Sequence, residues 1–278
     1  GGGDAVAGRR IPPPVAGPVT LTTDFGSRDG FVGVMKGVIL GIAPDARIVD
    51  LSHEVAPQSV REAAFLLRSA WPYFPEGTVH VVVVDPGVGS DRAILAARRR
   101  GQLFLAPDNG ALTGVLEEDG EAVEVRRLQA ARFALPKVCA TFHGRDVFAP
   151  AAAHLLRGFP FEGVGPLLPG WRRLPLPRSE ATSEGAIRGE VVLVDRFGNL
   201  VTNVGAAALA GLGPASSLLV EVGGEHIRGL VPSYRYGERG RAAALVSSFD
   251  TLEIAVPMGS AAASLGVGVG AAVLVRRS

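Results

Sequence analysis

Val79-His80-Val81-Val82-Val83-Val84-Asp85-Pro86-Gly87-Val88-Gly89 is the stretch that decides the fold. Residues 79–84 are apolar and β-branched apart from His80, without the polar alternation of a half-exposed strand. That pattern fits a central strand covered on both faces. Asp85 closes it and Pro86-Gly87 forces a turn. Working outward, Val19-Thr20-Leu21-Thr22 reads as a second buried strand, ending at Asp24. Residues 29–43 carry helical spacing, with Phe31, Val34, Met35, Val38, Ile39 and Ile42 on one stripe and Ser27 or Asp29 as the cap. Ile48 to Leu51 is a short strand. Residues 59–70 form a second helix capped by Ser59, with Ala63, Ala64, Leu66 and Leu67 inside. Strands alternating with helices predict an α/β domain with a mainly parallel sheet flanked by helices. Ligands bind such sheets beyond the carboxyl ends of the strands, where Asp24 and Asp85 both stand.

Further along, Ala93 to Ala97 and Gln102 to Ala106 predict a hairpin, with Arg98-Arg99-Arg100 as its solvated turn. Pro107-Asp108-Asn109-Gly110 is a turn signal, and Val147 to Leu156 is helical and apolar. The expected organisation is a flexible lead over 1–17, an N-terminal α/β domain over 18–160, a Pro- and Gly-rich linker over 161–186, and a C-terminal domain over 187–278. In the last of these the pattern changes. Val191 to Val194, Ser217 to Val222, Ala242 to Ser247, Leu252 to Val256 and Ala272 to Val275 are short strands between Gly-rich turns, which predicts an all-β barrel-like module.

Composition bounds the function. With 278 residues, 47% hydrophobic and 20% charged, the chain buries a sizeable core. Its 28 basic and 27 acidic side chains leave a net charge of +1, no footprint for nucleic acid. Apolar runs are too short for a membrane span. Cys139 is the single cysteine, so no intrachain disulfide forms. It reads as a buried small hydrophobe, and a cytoplasmic setting is favoured.

Three polar clusters stand where apolar strands are expected to end: T-D-F-G at 23–26, D-P-G-V-G at 85–89 and F-H-G-R-D at 142–146. They supply Asp24, Asp85, Arg92, His143, Arg145 and Asp146. A carboxylate at the end of a buried strand needs a cation to stay ionised, and Arg92 lies one small loop from Asp85. Taken alone, the pair reads equally as a loop-closing ion pair, and a lone His143 as structural. Their coincidence at separate strand ends makes an enzyme the leading reading. Asp24 suits a ribose diol, against a plain helix cap. In the C-terminal module, Asp195-Arg196-Phe197-Gly198-Asn199 offers an acceptor for an ammonium group, an aromatic face and an amide able to read an adenine edge, against a plain hairpin turn. Tyr234, Tyr236 and Ser247-Ser248 are weaker candidates for stacking and polar contact. No phosphate-binding glycine loop and no metal motif is present; His53-Glu54 and His154 lack partners at metal spacing, and His80 and His226 carry no local motif and read as structural.

Together these motifs resemble those of the S-adenosyl-L-methionine (SAM) hydrolases, or SAM hydroxide adenosyltransferases, relatives of the SAM-dependent fluorinase and chlorinase. The resemblance spans roughly 18–278. It also rests on I-A-P at 42–44, F-P-E-G-T-V at 74–79, A-P-D-N-G at 106–110, F-H-G-R-D-V-F-A-P at 142–150, D-R-F-G-N-L-V-T-N at 195–203 and L-E-I-A-V at 252–256. It implies a homotrimer whose ligand lies between one subunit's N-domain and a neighbour's C-domain. It implies Asp85, Arg92 and His143 as the set holding the attacking water or hydroxide. Asp24 is then the ribose carboxylate, with Phe25 beside it in the substrate-binding set. Asp195 and Ser248 fall near the methionine amino acid group, and Phe197 and Asn199 on the adenine side. Tyr236 is implied for stacking, and backbone near Val256 and Met258 for the adenine edge. SAM is substrate, and neither cofactor nor metal is implied. The halogenating relatives carry tyrosines where this chain has Asp85 and His143, and an anionic Asp85 repels a halide. Phe249-Asp250 replaces a glycine found after the serine in many hydrolases. The alternatives are a SAM or adenosine sensor without turnover, and a halogenase.

Overall fold

A computed structural model of the chain describes residues 17–116 and 120–278. The lead expected over 1–17 lies, but for Gly17, outside the described residues. The chain divides into two compact units, one ending at Leu174 and one beginning at Pro175.

The first unit holds one six-stranded sheet: β1 (Val19–Thr23), β2 (Ile48–Ser52), β3 (Val79–Val83), β4 (Ile94–Arg99), β5 (Gln102–Pro107) and β6 (Glu124–Arg127), in the order β2-β1-β3-β5-β4-β6. β1, β2, β3 and β5 pair in parallel, while β4 runs antiparallel to β5 and to β6. Helices α1 (Phe31–Ile42), α2 (Val60–Ala70), the single-turn α3 (Thr113–Leu116) and α4 (Ala149–Leu156) complete the unit.

The valine run is apolar throughout because both of its faces are covered. Val79, Val81 and Val83 pack in one core with Met35 and Ile39 of α1 and Ala149, Ala152 and Ala153 of α4. Val82 and Val84 pack in a second core with Ala63 and Leu67 of α2, Trp71, Phe104 and Val115. His80 sits in the strand fully buried. Its ring stacks on Phe104 and bonds to Thr20 Oγ1 at 2.7 Å and Gln102 Oε1 at 2.7 Å. Burial drives its pKa down to about 4, so it is a neutral part of the core.

Local expectations fared unevenly. Ser59 caps α2, its Oγ accepting from Glu62 N at 3.4 Å. Neither Ser27 nor Asp29 caps α1: the N-cap is Gly30 with no side-chain bond, and Ser27 Oγ donates instead to Glu54 Oε1 at 2.9 Å. The buried line of α1 is Val32, Met35 and Ile39, which leaves Phe31 and Val34 each 46% exposed on its flank. The solvated arginine turn is also corrected. Arg99 is 1% exposed, donates to the Val115 carbonyl and lies 5.2 Å from the Trp71 ring centre, because its register on β4 points it into the second core. Cys139 is half-buried in a loop rather than a core residue.

The second unit is an antiparallel sheet, nearly closed on itself. Its strands are β7 (Glu180–Ala181), β8 (Ile187–Val194), β9 (Leu200–Gly205), β10 (Leu218–Val222), β11 (Glu225–Arg228), β12 (Ala243–Val246), β13 (Thr251–Ala255) and β14 (Ala272–Arg277). Their order is β11-β10-β14-β8-β9-β13-β12, with β7 paired to β8. Among the described residues, the segment just after β11 meets the other end strand, β12, through one isolated parallel bridge, Leu230 to Ala244, where Val231 N donates to Ala244 O at 2.8 Å. Inward residues such as Val191, Leu200, Val220, Ile254 and Val275 fill the interior. The sequence does not announce β7, β9 and β11 or the short helices α5 (Ala206–Leu212) and α6 (Ala261–Leu265); β7 falls within the stretch expected as linker. Thr202-Asn203 inside β9 reads as loop chemistry, although Thr202 is buried and bonds the Leu252 carbonyl across the ladder.

Candidate active site

Asp24 and Asp85 leave the carboxyl ends of β1 and β3, which are neighbours with Thr23 opposite Val83. The third cluster arrives differently. His143 does not end a strand: it caps a π-helical turn, Gly144–Phe148, that runs directly into α4. Its route to the site is set by two glycines. A Cβ on Gly89, where φ is +79°, would stand 2.6 Å from the Ala140 carbonyl oxygen. One on Gly144 would stand 3.1 Å from Met35 Sδ and 3.3 Å from the Phe25 ring. The D-P-G-V-G loop therefore rests on the segment before His143, and the turn after it rests on the T-D-F-G loop. Phe25, Phe31 and Phe142 cluster at the same place, with centroids 5.3–5.9 Å apart and Phe142 edge-on to each of the other two rings.

This packing brings Asp85, Arg92 and His143 together. Arg92 Nε donates to Asp85 Oδ1 at 3.0 Å and Oδ2 at 2.8 Å, and Nη2 also donates to Oδ2. The two side chains are 11% and 4% exposed. The same Nη2 lies 3.0 Å from His143 Nδ1. A guanidinium only donates, so Nδ1 accepts, and the ring proton of a neutral His143 resides on Nε2. Burial first, and then the Arg92 charge, hold the His143 pKa below its ordinary value, outweighing Asp85 and Asp146. The neutral ring thus presents an N–H donor. Two Arg92 N–H groups meet the Asp85 carboxylate: Oδ2 takes both and Oδ1 only a share of the Nε–H, which leaves a lone pair on Oδ1. A donor and an acceptor flanking one guanidinium can hold a single water or hydroxide.

Arg145 and Asp146 serve structure. Asp146 is 1% exposed, takes hydrogen bonds from Arg145 Nε at 2.6 Å and Cys139 N at 2.7 Å, and is held below the usual carboxylate range chiefly by Arg145. Asp24 is not a helix cap: its Oδ2 accepts from Gln58 N at 2.7 Å. The Gln58 amide and His53, which meets Thr23 at 2.8 Å, were not predicted. The only signal was their place after the neighbouring strand β2.

In the second unit, Asp195 braces its own turn. Oδ1 accepts from Phe197 N at 2.8 Å and Asn199 N at 2.9 Å, and Oδ2 accepts from Asn199 Nδ2 at 3.0 Å. Asn199 is buried and Phe197 is 75% exposed. Tyr236 and Met258 are exposed, as is Ser248, and the Val256 carbonyl accepts from Gly259 N at 2.9 Å. Tyr234 faces an acid that sequence reading missed: its hydroxyl donates to Glu253, 2% exposed on β13. Burial raises the Glu253 pKa, and burial followed by the bond to Glu253 raises that of Tyr234. Among the described residues no group of three or more His, Cys, Asp or Glu side chains is placed to hold a metal ion. No described helix is long and apolar enough to cross a membrane.

Comparison with known proteins gives consistent matches. Residues 19–165 match the model of the SAM hydroxide adenosyltransferase N-terminal domain, and residues 189–274 that of the C-terminal domain. The chain is 44% identical over 262 residues to an (R)-S-adenosyl-L-methionine hydrolase of Thermus thermophilus, covering 90% of this chain and 96% of that protein. A fluorinase of an Actinoplanes species is 33% identical over 230 residues, covering 72% and 76%. The fold matches a crystal structure of an uncharacterized conserved protein from Thermotoga maritima with a TM-score of 0.86 and 37% identity, covering 93% of this chain and all of that one.

Proposed function

Since the chain belongs to the SAM hydroxide adenosyltransferase family, we propose that it hydrolyses S-adenosyl-L-methionine to adenosine and L-methionine, and that it accepts the (R) sulfonium epimer. The observation that carries the chemistry is the Asp85–Arg92–His143 cluster. Water oxygen bonds to ribose C5′ as the C5′–S bond breaks, its electron pair returning to sulfur as a neutral thioether. One water proton leaves, accepted at the remaining lone pair of Asp85 Oδ1 and passed to solvent. His143 donates from Nε2 to the same oxygen and fixes it on the line of attack. The leaving group is already cationic, so no general acid is needed. Charge is dispersed as sulfonium is neutralised, so a drier site favours the transition state over separated ions. Fixed alignment lowers the entropic cost of attack.

Asp24 then takes the ribose diol, with Phe25 beside it. Asp195 and Ser248 take the methionine end, and Phe197, Asn199, Tyr236 and backbone at Val256 and Met258 the adenine side. A halide fits poorly beside Asp85: two unit anions 4 Å apart repel by about 4 kcal/mol at an effective dielectric of about 20. The proposal includes a cytoplasmic homotrimer that needs no cofactor. The deciding experiment incubates the protein with each sulfonium epimer, with and without EDTA, chloride and fluoride. Adenosine and methionine in equal amounts, unaffected by EDTA, are expected. A 5′-halogenated nucleoside would favour a halogenase, and bound but unconverted substrate a sensor.

A further inference from the structure

The T-D-F-G loop is held from both sides of Asp24 by one residue for which the proposed chemistry has no use. His53 Nδ1 lies 2.8 Å from Thr23 Oγ1, and the His53 carbonyl accepts from Gly26 N at 2.7 Å. On its far side, His53 Nε2 lies 2.8 Å from Asp50 Oδ1, and Lys36 Nζ donates to Asp50 Oδ2 at 2.6 Å. Burial pushes the Asp50 pKa up, but the hydrogen bonds from Lys36 and His53 outweigh it and hold it below its ordinary value. Asp50 is therefore an ionised, acceptor-only group, and His53 Nε2 carries a proton toward it. Phe25 N, at 3.2 Å, only donates to the Thr23 hydroxyl, so the hydroxyl proton goes to its other partner and His53 Nδ1 accepts it.

The bonds form one directed series. Phe25 N–H points to Thr23, Thr23 O–H to His53, and His53 N–H to the carboxylate that Lys36 neutralises. Thr23 is fully buried, so its hydroxyl has no water to replace a lost partner. Residues 23, 25 and 26 are all tied to His53 directly or at one remove. Among the described residues, Asp24, between them, is tied only by Gln58 N at Oδ2. The orientation of its carboxylate follows from theirs.

We propose that His53 is a positioning residue for Asp24, acting through the Thr23 hydroxyl, and that it sets the preference for ligands carrying a ribose 2′,3′-diol. The inference rests on the reading of Asp24 as the diol acceptor. A vicinal diol makes two bonds to one carboxylate only when that carboxylate faces it squarely. A loosened loop still admits the base, but loses the bidentate contact.

The test measures binding of adenosine and of 2′,3′-dideoxyadenosine to the full chain by calorimetry. His53→Gln keeps a donor near Asp50 but removes the acceptor for Thr23. Thr23→Val removes the hydroxyl at constant shape. His53→Asn places an amide oxygen near the Nδ1 position, and Thr23→Ser keeps the hydroxyl. The wild type is expected to prefer adenosine by roughly tenfold or more. His53→Gln and Thr23→Val should erase most of that preference, while His53→Asn and Thr23→Ser retain it. Equal weakening of both nucleosides, or an undiminished preference in His53→Gln and Thr23→Val, overturns the positioning role alone. Absence of any preference in the wild type overturns the diol reading of Asp24, and the inference with it.

Discussion

Arg92 serves two partners with one side chain: its fork grips Asp85, and its Nη2 meets His143 Nδ1 at 3.0 Å. Asp85→Ala removes the acceptor for the attacking water. Turnover of SAM should fall by roughly 10²- to 10⁴-fold with binding largely kept, as single-turnover and equilibrium binding assays would show. Turnover close to wild type would reject the role. The imidazole makes a pH prediction with a definite sign. Its pKa lies below the ordinary 6.5, so kcat should hold as the pH falls through that value and drop only below it, when Nδ1 gains a proton and opposes Arg92. A kcat profile already falling above pH 6.5 contradicts the assigned tautomer. Asp24, Asp85 and Arg92 were legible as site candidates because Gly and Pro mark where strands release the chain. His143 was legible as a residue but not in its setting, since nothing local announces a π-helical turn. His53 was passed over because its partners, Thr23 and Asp50, form no recognisable spacing.

At the scale of elements, the central strand carries its own pH liability. His80 titrates at about 4 in the folded chain and near 6.5 unfolded. Between those values the unfolded state binds the extra proton. Stability is therefore full above pH 6.5 and declines as the pH falls toward 4, by up to roughly 3 kcal/mol. Urea unfolding at pH 7 and pH 4.5, compared with the same pair for His80→Asn, isolates the effect; an equal loss in both proteins would exclude His80 as its source. The contact of the D-P-G-V-G loop with the segment before His143 is tested by Gly89→Ala. Its Cβ has no room against Ala140 O, and the residue has positive φ. A stability loss of about 1–3 kcal/mol is expected, with turnover falling further than stability explains. Strand 79–83 was legible because a strand covered on both faces reads as an apolar run, broken here only by His80; strand 19–23, where threonines alternate with Val19 and Leu21, was legible from its β-branched content and the turn that follows it. β9 and β11 were not, because Thr202, Asn203, Glu225 and His226 look like loop residues until their partners across the sheet are known.

For the whole molecule, the α/β unit followed by an all-β unit was readable from the change in periodicity along the chain. The barrel-like character of the second sheet was readable from its short strands and turns; its strand order was not, because pairing is a long-range property. Assembly is expected to be trimeric, and light scattering should return three times the chain mass; a monomer of full activity would separate catalysis from assembly. The second unit also has a weak point in its wall. All eight of its strands are laced by ladders of two or more pairs, but among the described residues the circuit is completed by a single rung between Leu230 and Ala244. In deuterium, the Val231 amide on that rung should exchange well before those of Val220 or Ile254, which lie inside full ladders. The barrel should unzip at this seam first, and the stretch carrying Tyr234 and Tyr236, which begins there, would be the first to swing free.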